Sequence, residues 1–174
     1  MKKFIQAVVA FSLLVGLSTV AQAETTVTLG KMHICCGKCV RGIEAAVKDL
    51  TGVKATIDAK KGTTVLSAVS DEAAQKAVDA LAKAGYHATS DSKEIKMKND
   101  SGVKKGKVTR LELTGIHNCC RKCNTAITKA LASVDGIEAN NAKPNSDTLV
   151  VEGNFEGTAL IKALFAAGFH GKVK

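Results

Sequence analysis

Two short stretches hold all six cysteines of the chain. His33-Ile-Cys-Cys-Gly-Lys-Cys39 is followed 84 positions later by His117-Asn-Cys-Cys-Arg-Lys-Cys123. In each stretch two cysteines stand three residues apart: Cys36 with Cys39, and Cys120 with Cys123. That spacing wraps a loop and the first turn of a helix around one point. A helix N-terminus carries partial positive charge and free N–H groups, so it favours thiolate over thiol. Thiolate is the form that binds metal, and soft sulfur selects Cu(I), Zn(II) and thiophilic ions such as Hg(II) or Cd(II). The same spacing also suits redox motifs, so both chemistries stand at this point.

A third cysteine, Cys35 or Cys119, precedes each pair, and a histidine, His33 or His117, stands in front. Three thiolates, or three thiolates and one imidazole, would suit trigonal or tetrahedral Cu(I) or Zn(II). Adjacent residues of an extended loop point opposite ways. Cys35 and Cys119 therefore either join the site or face away from it. His33 and His117 are candidates for a further ligand or a supporting contact, against the plainer alternative of solvent-facing loop residues. His87 and His170 are also repeated, and a surface place is expected for them.

The repeat extends beyond the cysteines. Ile43, Val47 and Leu50 correspond to Ile127, Leu131 and Val134, and Ala84-Gly-Tyr-His87 to Ala167-Gly-Phe-His170. In the first copy Thr26 to Lys31 alternates as a half-buried strand, and Val40, Ile43, Val47 and Leu50 recur at helical spacing. Val53–Ala59 and Thr63–Val69 read as strands around a Lys60-Lys-Gly62 turn. Ser70 caps a second helix with acids at Asp71 and Glu72; Gly85 stops it before a last strand at Tyr86–Thr89. The second copy follows the same order. Val108–Leu113 is a strand and Arg121–Ser133 a helix. Ile137–Asn141 and Thr148–Glu152 are strands, Glu156–Ala167 a helix, and Phe169–Val173 the final strand. The expected fold class is α+β: two tandem ferredoxin-like βαββαβ domains, each a four-stranded antiparallel sheet with two helices on one face.

These junctions resemble the heavy-metal-associated domain, which carries Gly-Met-x-Cys-x-x-Cys between its first strand and first helix. The resemblance spans residues 25–91 and 107–174. It implies Cys36 with Cys39, and Cys120 with Cys123, as metal ligands, and it places the aromatic of Ala-Gly-Tyr86 or Ala-Gly-Phe169 near the metal loop. Three family positions differ. Its Gly is His33 or His117, its apolar Met is Ile34 or Asn118, and its variable residue is Cys35 or Cys119. Asn118 in an apolar position leads us to expect two sites of different affinity. The chain looks most like periplasmic mercury-binding proteins and related copper carriers.

Residues 1–23 read as a secretory signal peptide. Lys2 and Lys3 form its basic start, Phe4–Val20 its apolar stretch, and Ala21-Gln-Ala23 its cleavage site before Glu24. A periplasmic location is expected, with no stable membrane insertion after cleavage. About 150 residues would remain, and the repeat divides them into two small domains, 24–92 and 107–174, near the size at which a core needs help. Residues 93–106, rich in Lys, Asn, Asp, Ser and Gly, read as a linker.

Without Lys2 and Lys3 the formal charge falls from +9 to +7. With no Trp, one Tyr and three arginines, the basic surface lacks the groups that read or stack bases, so no nucleic-acid partner is expected. The expected partners are a metal ion and a membrane metal transporter or other metal-handling protein. No enzyme activity is expected: the histidines have no evident carboxylate orienter, and no glycine-rich phosphate loop appears. The function that follows is an exported soft-metal carrier, buffer or scavenger holding Cu(I), Hg(II) or Zn(II). The alternative is a thiol–disulfide redox module or a disulfide-stabilised partner-binding module.

Overall fold

The computed structural model describes residues 24–174; the expected export segment lies outside the described residues. The first half runs β1 (Thr25–Gly30), α1 (Gly37–Val47), β2 (Val53–Asp58), β3 (Thr63–Ala68), α2 (Asp71–Lys83) and β4 (Thr89–Ser90). The second runs β5 (Lys107–Thr114), α3 (Arg121–Leu131), β6 (Ile137–Asn140), β7 (Leu149–Glu156), α4 (Gly157–Ala166) and β8 (Lys172–Val173). The two antiparallel sheets have the same order, β2-β3-β1-β4 and β6-β7-β5-β8. This is an α+β arrangement of four helices and two four-stranded sheets, consistent with ferredoxin-like heavy-metal-associated domains. No helix among the described residues is long and apolar enough to cross a membrane.

The alternation read in the sequence becomes burial. Val27 and Leu29 of β1 and Leu66 and Ala68 of β3 face inward, against Ile43 and Val47 of α1 and Ala74, Val78 and Leu81 of α2. Ser70 caps α2 as expected, its Oγ accepting from the Ala73 N–H at 3.2 Å. The apolar stripe of each first helix begins with a cysteine, Cys39 or Cys123, so the packing that seats the helix also fixes one thiol.

Four segments differ from the sequence reading or add to it. Both last strands are shorter than expected, because the backbone before each pairs with the other half. His87 N–H donates to Gly168 O at 3.0 Å and His170 N–H to Gly85 O at 2.9 Å, forming an antiparallel bridge between Tyr86 and Phe169. Strand β7 continues to Glu156 through an irregular register beside β5 and β6. Finally, the segment 93–106, read as a linker, is anchored to the halves on either side of it. Ile95 is 5% and Ser101 2% exposed. The Gln75 side chain donates to Lys96 O and accepts from Lys96 N–H, while Val173 N–H donates to Ser101 O. The polar composition hid these few anchors.

Candidate metal centre

Both cysteine loops sit between a first strand and the helix after it, and their geometry is nearly the same. Cys36 and Cys120 occupy the N-cap positions of α1 and α3 with extended backbones, φ −162° and −161°. Neither helix has an acidic residue in its first turn, so no carboxylate competes with a thiolate for the positive helix end.

The loops face each other. Ten sulfur–sulfur separations fall between 3.5 and 3.9 Å, within and between loops. Cys35 lies 3.5 Å from both Cys120 and Cys123; Cys119 lies 3.8 Å from Cys36 and 3.7 Å from Cys39. Cys35 and Cys119 both turn toward the opposing loop. With sulfur on both sides, each side chain of an extended Cys-Cys pair has thiols to meet. Cys39 and Cys123 are fully buried, and the other four are half-buried.

The histidines in front of the cysteines cross between halves. His33 packs on Phe169 with ring centroids 4.7 Å apart, and His117 stacks on Tyr86 at 4.3 Å. Tyr86 Oη donates to Cys39 O at 2.9 Å and lies 3.2 Å from His117 Nε2. His33 Nε2 is buried without a hydrogen-bond partner among the described residues. Three groups bring ligand atoms within 4.8 Å of one another: Cys39, His117, Cys119 and Cys123; His33, Cys35 and Cys123; and Cys35, Cys36 and Cys120. A groove of about 480 Å³ lined by His117, Asn118, Cys119 and Asp147 reaches this cluster from solvent. Asn118, buried where the family has an apolar residue, ties the second loop down: its Nδ2 donates to Asn124 Oδ1 at 3.0 Å and Lys143 O at 2.9 Å.

The thiols do not share charge equally. Cys39 is pushed down to about 2, chiefly because the Cys123 thiol donates to its sulfur; burial opposes this and His117 adds to it. Cys123 is pushed up, first by that same hydrogen bond. Cys35 and Cys119 are pushed up, first by burial. At Cys120 burial acts upward, but the backbone N–H of Cys123 and the Cys35 thiol bring it down to about 6. The shifts in opposite directions favour a mixture of thiolate and thiol within the cluster.

His87 and His170 are not surface residues, because the junction between halves covers them. His170 is 1% exposed and its Nε2 meets Asp100 Oδ1 at 2.8 Å; His87 stacks on Phe165 with centroids 3.8 Å apart. Burial lowers His87 to about 4, with His170 adding to the shift. Its folded value thus lies below the usual 6.5 or so of an unfolded chain. The stabilising contribution is complete above pH 6.5. It is lost as pH falls toward 4, because only the unfolded chain takes up the proton in that window. In the reduced, metal-free protein His87 should account for about 2 kcal/mol of the stability lost between pH 7 and pH 4.5, read as the difference in that loss between wild type and His87→Phe from urea midpoints, after discounting for partial exposure. His87→Phe should flatten that dependence; an unchanged slope would rule His87 out as its source.

Sequence reasoning picked out the cysteines but left open whether the two loops meet. The available signal was the repeated Ala-Gly-aromatic-His segment, which supplies the bridge and both stacking partners.

The profile of the heavy-metal-associated domain matches residues 114–170, which include Cys119, Cys120 and Cys123. The solution structure of the N-terminal soluble domains of Bacillus subtilis CopA is 19% identical, with 88% of this chain and 95% of that chain covered, at a TM-score of 0.31, too low to bear on the reading. No curated protein matches the chain. Residues 114–170 thus resemble the heavy-metal-associated domain, and the cysteine groups in and around that stretch have ligand atoms close enough together to hold a metal.

Proposed function

We propose that this chain is an exported binding protein for soft metal ions, with two tandem heavy-metal-associated domains acting as carrier, buffer or scavenger. The domains are 24–92 and 107–174, joined by 93–106, after a signal peptide at 1–23 that directs the chain to the periplasm. The ligands are Cys35, Cys36, Cys39, Cys119, Cys120 and Cys123, with His33 and His117 beside them.

One observation carries the reading: six thiols from two loops lie 3.5–3.9 Å from their neighbours at two helix N-termini. Six clustered thiols are a poor way to stabilise an interior, and soft cations are the species such a cluster attracts. The groove at Cys119 supports exchange of the ion with a partner. The surplus of lysine supports docking to an acidic metal-handling protein or membrane transporter.

Cu(I), Hg(II) and Zn(II) all match the donors. The cross-loop separations also keep a redox reading in view, since Cys35 and Cys120 need only a small approach to form a disulfide. Reduced protein titrated anaerobically with Cu(I) should show six reactive thiols before loading and none after it. Stable disulfides, with no ion taken up after their reduction, would replace the carrier by the redox module.

A further inference from the structure

Six of the ten sulfur contacts close two triangles that cross between the loops; the other four, Cys35–Cys39, Cys36–Cys120, Cys39–Cys123 and Cys119–Cys123 at 3.7–3.9 Å, join the triangles to each other. Cys120 and Cys123 are 3.7 Å apart, and Cys35 of the other loop is 3.5 Å from each. Cys36 and Cys39 are 3.8 Å apart, and Cys119 of the other loop is 3.8 Å from the first and 3.7 Å from the second. The two triangles share no sulfur, use all six, and exchange with each other when the halves are exchanged. No contact of this kind joins Cys35 to Cys36 or Cys119 to Cys120, so neither loop closes a triangle from its own cysteines.

Accepting the soft-metal function above, we propose that each ion is held by the Cys-x-x-Cys pair of one loop and completed by the extra cysteine of the other. One site is Cys120, Cys123 and Cys35; the other is Cys36, Cys39 and Cys119. A planar three-coordinate ion with bonds of about 2.3 Å requires sulfurs about 4.0 Å apart, and a tetrahedral one about 3.8 Å. A linear two-coordinate ion requires about 4.6 Å. Edges of 3.5–3.8 Å therefore match three-sulfur coordination within a few tenths of an ångström and lie far from the linear case. His33 stands with Cys35 and Cys123 of one triangle, and His117 with Cys39 and Cys119 of the other and with Cys123 of the first. Each occupies the edge of one triangle, where an imidazole could complete a tetrahedron. On binding, each ion forms three metal–sulfur bonds, and any protons still on those thiols leave to solvent.

This arrangement gives the Cys-Cys pairs a purpose. The first cysteine of each pair belongs to the opposite site, so filling either site pins the two halves together.

The test uses the reduced full-length chain and Cu(I), buffered by a competing chelator under anaerobic conditions. Native mass spectrometry should find two ions at saturation, and copper X-ray absorption about three sulfurs around each. In the background Cys120→Ser with Cys123→Ser, one ion should remain, on Cys36, Cys39 and Cys119. Adding Cys119→Ser should weaken it about ten-fold or more beyond the effect of adding Cys35→Ser. Circular dichroism confirms folding before titration; if the double background fails to fold, Cys120→Ser alone replaces it. Equal losses, or a larger loss from Cys35→Ser, overturn the crossed assignment, as does saturation at any number other than two. A wild-type chain that takes up no Cu(I) overturns the soft-metal function itself.

Discussion

Gly168→Ala should separate the two cysteine loops and cost the protein both stability and metal affinity. Gly168 has φ +84°, a left-handed conformation that side chains resist. A Cβ there would lie 2.4 Å from His33 N and 2.8 Å from Lys31 O, both backbone atoms that cannot rotate away. Gly85 is its counterpart, with φ +87° and a Cβ 2.3 Å from His117 N. Each glycine thus lets the end of one half press on the strand-to-loop segment of the other. The strain and clash together should cost roughly 3 kcal/mol, lowering Tm by about 6–12 °C for a chain of this size. Cu(I) affinity should fall about ten-fold or more, because the bridge that apposes the loops is lost. A Gly168→Ala protein with unchanged melting and affinity would show that the apposition is not set at this bridge.

Cys39→Ser should weaken metal binding more than any substitution at the half-buried cysteines. Cys39 touches four other sulfurs, those of Cys35, Cys36, Cys119 and Cys123. It is also fully buried at the start of the α1 stripe, so its position is fixed by the core. Serine retains a small polar group but offers hard oxygen in place of soft sulfur. Competition titration should show a loss of about 100-fold, near 2.7 kcal/mol, against about ten-fold for Cys36→Ser. Equal losses at both positions would remove the special role of the buried thiol.

The alternation of Val27 with Leu29 and the helical recurrence of Ile43 and Val47 carried the fold, because each half has a single apolar interior and periodicity reports it directly. The cysteines announced themselves by type and spacing. What stayed hidden depended on surfaces meeting. Tyr86, His87, Phe169 and His170 read as final strands because each segment looks extended by itself. Only the other half shows where their backbone groups go. Segment 93–106 read simply as a linker for the same reason, since Ile95 and Ser101 are isolated anchors in a polar stretch. Asn118 looked like a weak point in an apolar place, whereas its amide holds Asn124 and the Lys143 carbonyl.

The central claim is that thiols from both loops hold the same ions. Loading the reduced full-length chain with NMR-active cadmium and correlating each cadmium signal with cysteine β-protons tests this directly. Every cadmium resonance should couple to cysteines of both loops, for instance Cys35 together with Cys120 and Cys123. Resonances that each couple only to cysteines of a single loop would contradict it.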